Sequence, residues 1–203
     1  MKTLPFILLT LACAMSLNAQ HLHNGDNTLS AGKVNSEHSI YHLDAQWTDH
    51  QGDTYSLRNF SGEPVIVVMF YGNCTQVCPI LIKDAWQLYS SIEKSIRDSV
   101  NVLAVTFDTK NDTPEVLRDY AEYEQLNIPN WHFMTSESAN VRSLAMMLGV
   151  QYTKKSDGHF AHTNLVTVLD KRGRIAKRIE GLNQPMEKTA EEIKSIMANG
   201  MQQ

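Results

Sequence analysis

The sequence predicts an α/β fold in which a mixed central sheet is flanked by helices and extended by a β-hairpin. Between residues 64 and 148, apolar segments of strand length alternate with segments whose apolar residues recur at helical spacing. Right-handed crossovers make strands connected in this way parallel. Farther along, the strand-like residues 163–169 and 174–179 flank Asp170-Lys171-Arg172-Gly173, a typical hairpin turn. The hairpin adds antiparallel strands, so the sheet should be mixed.

The elements of the first half follow from apolar runs and helix-start signals. Residues 64–70 form an unbroken apolar run and predict a buried strand, and residues 100–107 predict a second one. Thr113-Pro114 is a cap followed by proline, which predicts a helix to about residue 126. A helix after Pro79 is predicted from apolar residues at helical spacing: Ile80, Leu81, Ala85, Leu88, Ile92 and Ile96.

The second half contributes a short strand at residues 131–134 and a helix over residues 137–148 that Gly149 ends. After the hairpin, a terminal helix is predicted from Pro185 onward. A thioredoxin-like arrangement fits this order of elements.

The chain is predicted to consist of one domain behind an export leader. Met1-Lys2-Thr3 carries one positive charge, and the apolar segment that follows is shorter than the roughly 20 residues that span a bilayer. We therefore predict a signal peptide over residues 1–19, a flexible polar arm over residues 20–39 and a folded domain over residues 40–203. A lipidated leader, acylated at Cys13, is the alternative, and it would be the chain's route to membrane association.

The composition excludes one large class of partners. The 203 residues are 42% hydrophobic and 20% charged, which suits a single well-buried domain. The net charge of -4 is spread without basic blocks, so we expect no nucleic-acid partner.

The residues with the clearest chemistry follow the first strand, in the segment Cys74-Thr75-Gln76-Val77-Cys78-Pro79. At a strand-to-helix junction the helix N-terminus favours the thiolate, which attacks disulfides and binds soft metals. Helical spacing would place the two Cα atoms about 6 Å apart, inside the disulfide range of about 4.4–6.8 Å. Both sulfurs can equally face one ion. The pair therefore predicts a redox-active disulfide or a metal site.

Three segments in order resemble the Sco/SenC family, copper chaperones that serve assembly of the dinuclear copper site of cytochrome c oxidase. The similarity extends from about residue 40 to 195. The matching segments are Cys74-x-x-x-Cys78-Pro79, residues 105–108 followed by 112–117, and His162 ahead of residues 164–169 with the turn at 170–173.

The resemblance implies an exported, periplasmic metallochaperone whose copper ligands are Cys74, Cys78 and His162. It implies one copper per chain, as Cu(I), Cu(II) or both, because thiolate holds Cu(I) and imidazole tolerates Cu(II). His159 is the alternative third ligand. The implied partners are the copper-site subunit of a terminal oxidase or a similar cuproprotein, and a thiol reductant.

The sequence departs from the family pattern near these residues. Gly72, Thr75 and Gln76 stand where members often carry threonine, proline and aspartate, and Asp108 is followed by Thr109 rather than proline. These changes leave the predicted metal ligands in place and bear on thiol pKa and partner choice. Asp108 is either an acceptor that orients a ligand or a plain strand-end carboxylate.

A rival function is thiol-disulfide exchange. There Cys74 and Cys78 would be the catalytic residues, one attacking and the other resolving a mixed disulfide, and His162 would only tune the thiols. A peroxidase on the same fold is disfavoured, because Tyr71 replaces the Thr or Ser expected three residues before the reactive cysteine.

Several suggestive residues are predicted to be structural. Asp112 belongs to a helix cap, and Met146 and Met147 to the core of an apolar helix. The histidines near the N-terminus are attributed to a polar arm, with one alternative. Cleavage after Gln20 would leave His21-Leu22-His23 at the mature terminus, where amine, amide and imidazole nitrogens can enclose Cu(II).

Overall fold

The structure is a computed structural model that describes residues 29–199. Seven of its strands form one sheet: β1 Gln46–Asp49, β2 Thr54–Ser56, β3 Val65–Phe70, β4 Asn101–Thr106, β5 Trp131–Thr135, β8 Leu165–Leu169 and β9 Ile175–Glu180. Their order in space is β2-β1-β5-β4-β3-β8-β9. β6 Tyr152–Lys154 and β7 Phe160–His162 pair with each other in a separate two-stranded ribbon.

The helices are α1 Cys78–Ser91, α2 Lys94–Arg97, α3 Pro114–Tyr123, α4 Ser138–Leu148 and α5 Glu187–Asn199. α1 packs against β3, β4 and β8 and contacts α5, whereas α3 packs against β5 and β1. The Thr113 side chain caps α3 by accepting the Val116 N–H. Gly149 ends α4 in the left-handed conformation, at φ 76°. Over residues 29–199, no helix combines the length and apolar character needed to cross a membrane.

The sheet is mixed, as predicted. β3 pairs in parallel with β4, and β4 with β5, while β8 runs antiparallel to both β3 and β9. Every residue of β3, β4 and β8 is buried, which explains why these strands are largely apolar in sequence. The thioredoxin-like α/β fold with its β8–β9 hairpin is therefore confirmed.

This topology brings three loops to one edge of the sheet. Because β3 and β4 are parallel, the segments that follow Phe70 and Thr106 leave the sheet at the same edge. β8 is antiparallel to β3, with Val166 opposite Val68, so the residues just before Leu165 arrive at that edge too. Open α/β sheets commonly bind ligands outside the carboxyl ends of their strands.

The structure differs from the sequence prediction over the start of the domain. Residues 29–38, assigned to a flexible arm, lie against the folded domain. Leu29 N–H donates to the His162 carbonyl at 3.1 Å, and Gly32 N–H donates to the Gly149 carbonyl at 2.8 Å. Backbone groups of the segment make these hydrogen bonds, so the contact does not require an apolar pattern in its sequence.

The predicted core position of Met146 was wrong. Its side chain is 73% exposed, whereas Met147 is partly buried against the core. The buried face of α4 consists of Val141, Leu144, Ala145 and Leu148. Met146 follows Ala145 by one residue, about 100° around the helix, and so leaves that face.

Candidate metal centre

Two sulfurs and one imidazole nitrogen meet at the sheet edge described above. Cys74 lies in the turn after β3, Cys78 is the first residue of α1, and His162 is the last residue of β7. One ligand atom from each lies within 4.8 Å of the other two, and Cys78 Sγ is 3.5 Å from His162 Nε2. The exposed fraction is 6% for Cys74, 0% for Cys78 and 1% for His162. This arrangement can hold one soft metal ion or form a disulfide.

The N-terminus of α1 stabilises the Cys74 thiolate. The N-cap residue, Val77, makes no side-chain cap bond. Instead, the Cys78 N–H donates to Cys74 Sγ at 3.4 Å, so a sulfur occupies the capping position. The hydrogen bond from the Cys78 thiol, helped by the backbone N–H groups of Cys78 and Gln76, holds the pKa of Cys74 well below its usual value.

The pKa of Cys78 shifts in the opposite direction. Burial, reinforced by the nearby Cys74 thiolate, raises the pKa of the Cys78 thiol. The surroundings of the metal-free site thus favour the thiolate form of Cys74 and the thiol form of Cys78. Since metals bind the thiolate form, a metal that engages both sulfurs must displace the Cys78 proton.

Neighbouring residues orient the His162 imidazole for metal coordination. Its Nδ1 lies 3.2 Å from the Thr163 carbonyl oxygen. A carbonyl oxygen only accepts, so Nδ1 carries the proton and Nε2, which faces Cys78, carries the lone pair. The rings of Phe107 and Tyr71 lie beside the imidazole, with centroids at 5.2 Å and 6.3 Å. The alternative ligand, His159, lies outside this group: it is exposed and its Nδ1 is 3.2 Å from the Tyr71 hydroxyl.

Asp112 has a role that the sequence analysis missed. It is 2% exposed, and its Oδ2 accepts the Gly72 N–H at 2.9 Å and the Thr106 hydroxyl proton. The carboxylate therefore ties the cysteine turn to the end of β4 and the start of α3, and its burial raises the pKa of Asp112. A Cβ added at Gly72 would lie 2.9 Å from Asp112 Oδ1. This close approach explains why glycine, rather than threonine, stands two residues before Cys74.

Asp108 supports the ribbon that carries His162. Its Oδ2 accepts a hydrogen bond from Asn111 Nδ2 at 2.7 Å, and its Oδ1 lies 3.7 Å from Lys154 Nζ on β6. Tyr152 and Lys154 of β6 pair with His162 and Phe160 of β7. Asp108 thus contacts the ribbon at Lys154, two residues along β6 from Tyr152, the residue that pairs with His162.

Comparisons with known proteins agree with this geometry. The SCO1/SenC family model matches residues 35–198. A SCO1 protein homolog of Bacillus subtilis is 24% identical over 151 residues, which cover 72% of this chain and 78% of that protein. A SCO1/SenC family lipoprotein from Bacillus anthracis superposes with a TM-score of 0.68 at 20% identity, covering 74% of this chain and 91% of that one.

A second similar structure is Bradyrhizobium japonicum ScoI with copper bound. It superposes with a TM-score of 0.61 at 23% identity, and the match covers 75% of this chain and 96% of that one. These likenesses concern the fold, whereas the family model matches most of the sequence. The chain belongs to the SCO1/SenC family.

Proposed function

We propose that this chain is an exported copper metallochaperone that binds one copper through Cys74, Cys78 and His162. The observation that carries the proposal is the convergence of these three ligand atoms within 4.8 Å in a buried site. Thiolates hold Cu(I), and the added imidazole lets the same site hold Cu(II). Three protein ligands leave a coordination position for a recipient's ligand, which suits a cargo that must be released. The copper bound in Bradyrhizobium japonicum ScoI, on the same fold, supports the choice of metal.

The recipient that we propose is the copper-site subunit of a terminal oxidase such as cytochrome c oxidase, or a similar cuproprotein. Family membership supports this choice. The predicted leader supports export to the periplasm, and a lipoprotein among the similar structures fits an anchored form. The signal peptide, the acylation of Cys13 and the copper site at His21-Leu22-His23 all fall outside the described residues. In an oxidising compartment the two thiols need a reductant as a second partner.

Thiol-disulfide exchange is the second candidate function, and one feature of the site favours it. The thiol with the lowered pKa, Cys74, is also the more exposed of the pair, while the fully buried Cys78 lies behind it. This is the arrangement of an attacking and a resolving cysteine. The two functions can coexist, because a copper-site disulfide in a recipient must be reduced before it binds metal.

Oxidation of the protein should eliminate copper uptake. A disulfide between Cys74 and Cys78 offers no thiolate ligand, so we expect one copper per reduced chain and none bound tightly by the oxidised chain. Thiol counting and intact-mass measurement identify the two forms, and a copper titration compares them. Reduction of the oxidised sample should restore full uptake. Equal binding by the fully oxidised protein would place the metal elsewhere and overturn the proposed function.

A further inference from the structure

A small cavity gives access to the candidate metal centre. It has a volume of about 170 Å³ and is lined by Tyr71, Cys74, Asp157, His159 and Phe160, among others. Of the three candidate ligands, Cys74 is the one that lines it, since Cys78 and His162 lie deeper. An ion that enters or leaves through this cavity therefore meets Cys74 first.

His159 is held at the rim of the same cavity. It follows the turn that joins β6 to β7, where its carbonyl accepts the Lys155 N–H at 2.8 Å and its own N–H donates to Asp157 Oδ1 at 2.9 Å. The side chain is exposed. The backbone is thus fixed on both sides while the imidazole faces the cavity and solvent.

The Tyr71 hydroxyl holds the imidazole of His159 at this cavity. It lies 3.2 Å from His159 Nδ1, and both Tyr71 and Cys74 line the cavity. A phenolic oxygen can accept the proton of Nδ1–H. Nε2 of His159 then carries the lone pair and is the nitrogen available to a metal.

We propose that His159 Nε2 is a transient outer ligand that receives incoming copper and passes it to Cys74. When copper is released, the same nitrogen receives it from Cys74. The step is a ligand exchange without a change in oxidation state. The bond from copper to His159 Nε2 breaks, bonds to the Cys74 and Cys78 sulfurs form, and the Cys78 thiol proton goes to solvent. This inference rests on the proposed function, which it extends from binding to the route of transfer.

A transient ligand leaves a kinetic signature. His159 is absent from the final coordination sphere, so removing its imidazole leaves the equilibrium affinity for copper unchanged. The same change raises the free-energy barriers to copper uptake and to copper release by equal amounts. A group outside the route would change neither rate, and an equilibrium ligand would change the affinity. Measuring both rates and the Kd separates these three cases.

The test uses the reduced full chain, with Cu(I) supplied by, and withdrawn to, a chromogenic chelator in a stopped-flow instrument. His159→Ala should slow uptake and release alike by about tenfold, with Kd unchanged within about twofold. His38→Ala, an exposed histidine on residues 29–38, is the matched control and should leave both rates unchanged. His159→Met should restore the rates for Cu(I), because a thioether is a soft ligand.

Unchanged rates in His159→Ala would overturn the inference and leave the proposed function intact. So would a loss of affinity equal to that of His162→Ala, since it would make His159 an equilibrium ligand. Failure of the unaltered reduced chain to bind copper would overturn the proposed function itself, and that result is seen before any variant is compared.

Discussion

Replacement of Cys78 by serine should abolish tight copper binding. The substitution removes one of two soft ligands and leaves a hydroxyl, which stays protonated and binds copper poorly. Cys78 is fully buried, so no solvent-exposed group can take the place of its sulfur. We expect the Cu(I) affinity of the reduced protein to fall by about a thousandfold or more, equivalent to about 4 kcal/mol. A titration against a competing chelator measures it.

The Cu(II) spectrum provides an independent readout of the same substitution. Thiolate ligation gives a sulfur-to-copper charge-transfer band, which should vanish in Cys78→Ser and equally in Cys74→Ser. Thr75→Ser, at an exposed position between the two cysteines, is the matched control and should keep both the band and the affinity. Circular dichroism checks that each variant is folded. Normal copper binding by both cysteine variants would refute the site assignment.

Replacement of His162 by alanine should affect the binding of Cu(II) much more than the binding of Cu(I). Two thiolates can hold Cu(I) in linear coordination, whereas Cu(II) requires the nitrogen ligand. We therefore expect His162→Ala to abolish or distort the Cu(II) spectrum while Cu(I) affinity falls by only about tenfold, or about 1.4 kcal/mol. Absorption and electron paramagnetic resonance spectra report the Cu(II) site, and chelator competition reports Cu(I).

The control for His162 is the other histidine of the same segment. His159→Ala should keep the equilibrium Cu(II) spectrum, because His159 lies at the Tyr71 hydroxyl, outside the group of three ligand atoms. The reverse pattern, with His159→Ala destructive and His162→Ala silent, would move the third ligand three residues upstream. Disulfide exchange by the cysteine pair should survive in both variants, so the same proteins distinguish a metal site from an oxidoreductase.

The centre of the sheet could be predicted because β3, β4 and β8 are buried along their whole length. β3 is apolar throughout, and the polar residues of the other two strands are Asn101, Thr106 and Thr167. Helix limits were visible where a local signal exists, as at the Thr113 cap and at Gly149. The β6–β7 ribbon was missed because each of its strands has three residues, and β6 is largely exposed. Segments so short have no readable periodicity.

The candidate site likewise has features that local sequence predicts and features that it does not. The position of Cys74 and Cys78 at a strand-to-helix junction follows from local sequence. The approach of His162 depends on β8 pairing antiparallel with β3, and the family resemblance, rather than any local pattern, indicated it. The hydrogen bond between Gly72 and Asp112 joins residues on two loops, and no sequence pattern within either loop predicts it. Contacts between distant loops depend on the completed fold.

X-ray absorption at the copper edge of the reduced, copper-loaded protein identifies the ligand atoms themselves and so tests the proposed copper site. With one copper per chain, we expect two sulfur ligands and one imidazole nitrogen. His162→Ala should remove the imidazole contribution and keep both sulfurs, while His159→Ala should leave the spectrum unchanged. A copper environment of nitrogen and oxygen atoms alone, without sulfur, would refute coordination by Cys74 and Cys78.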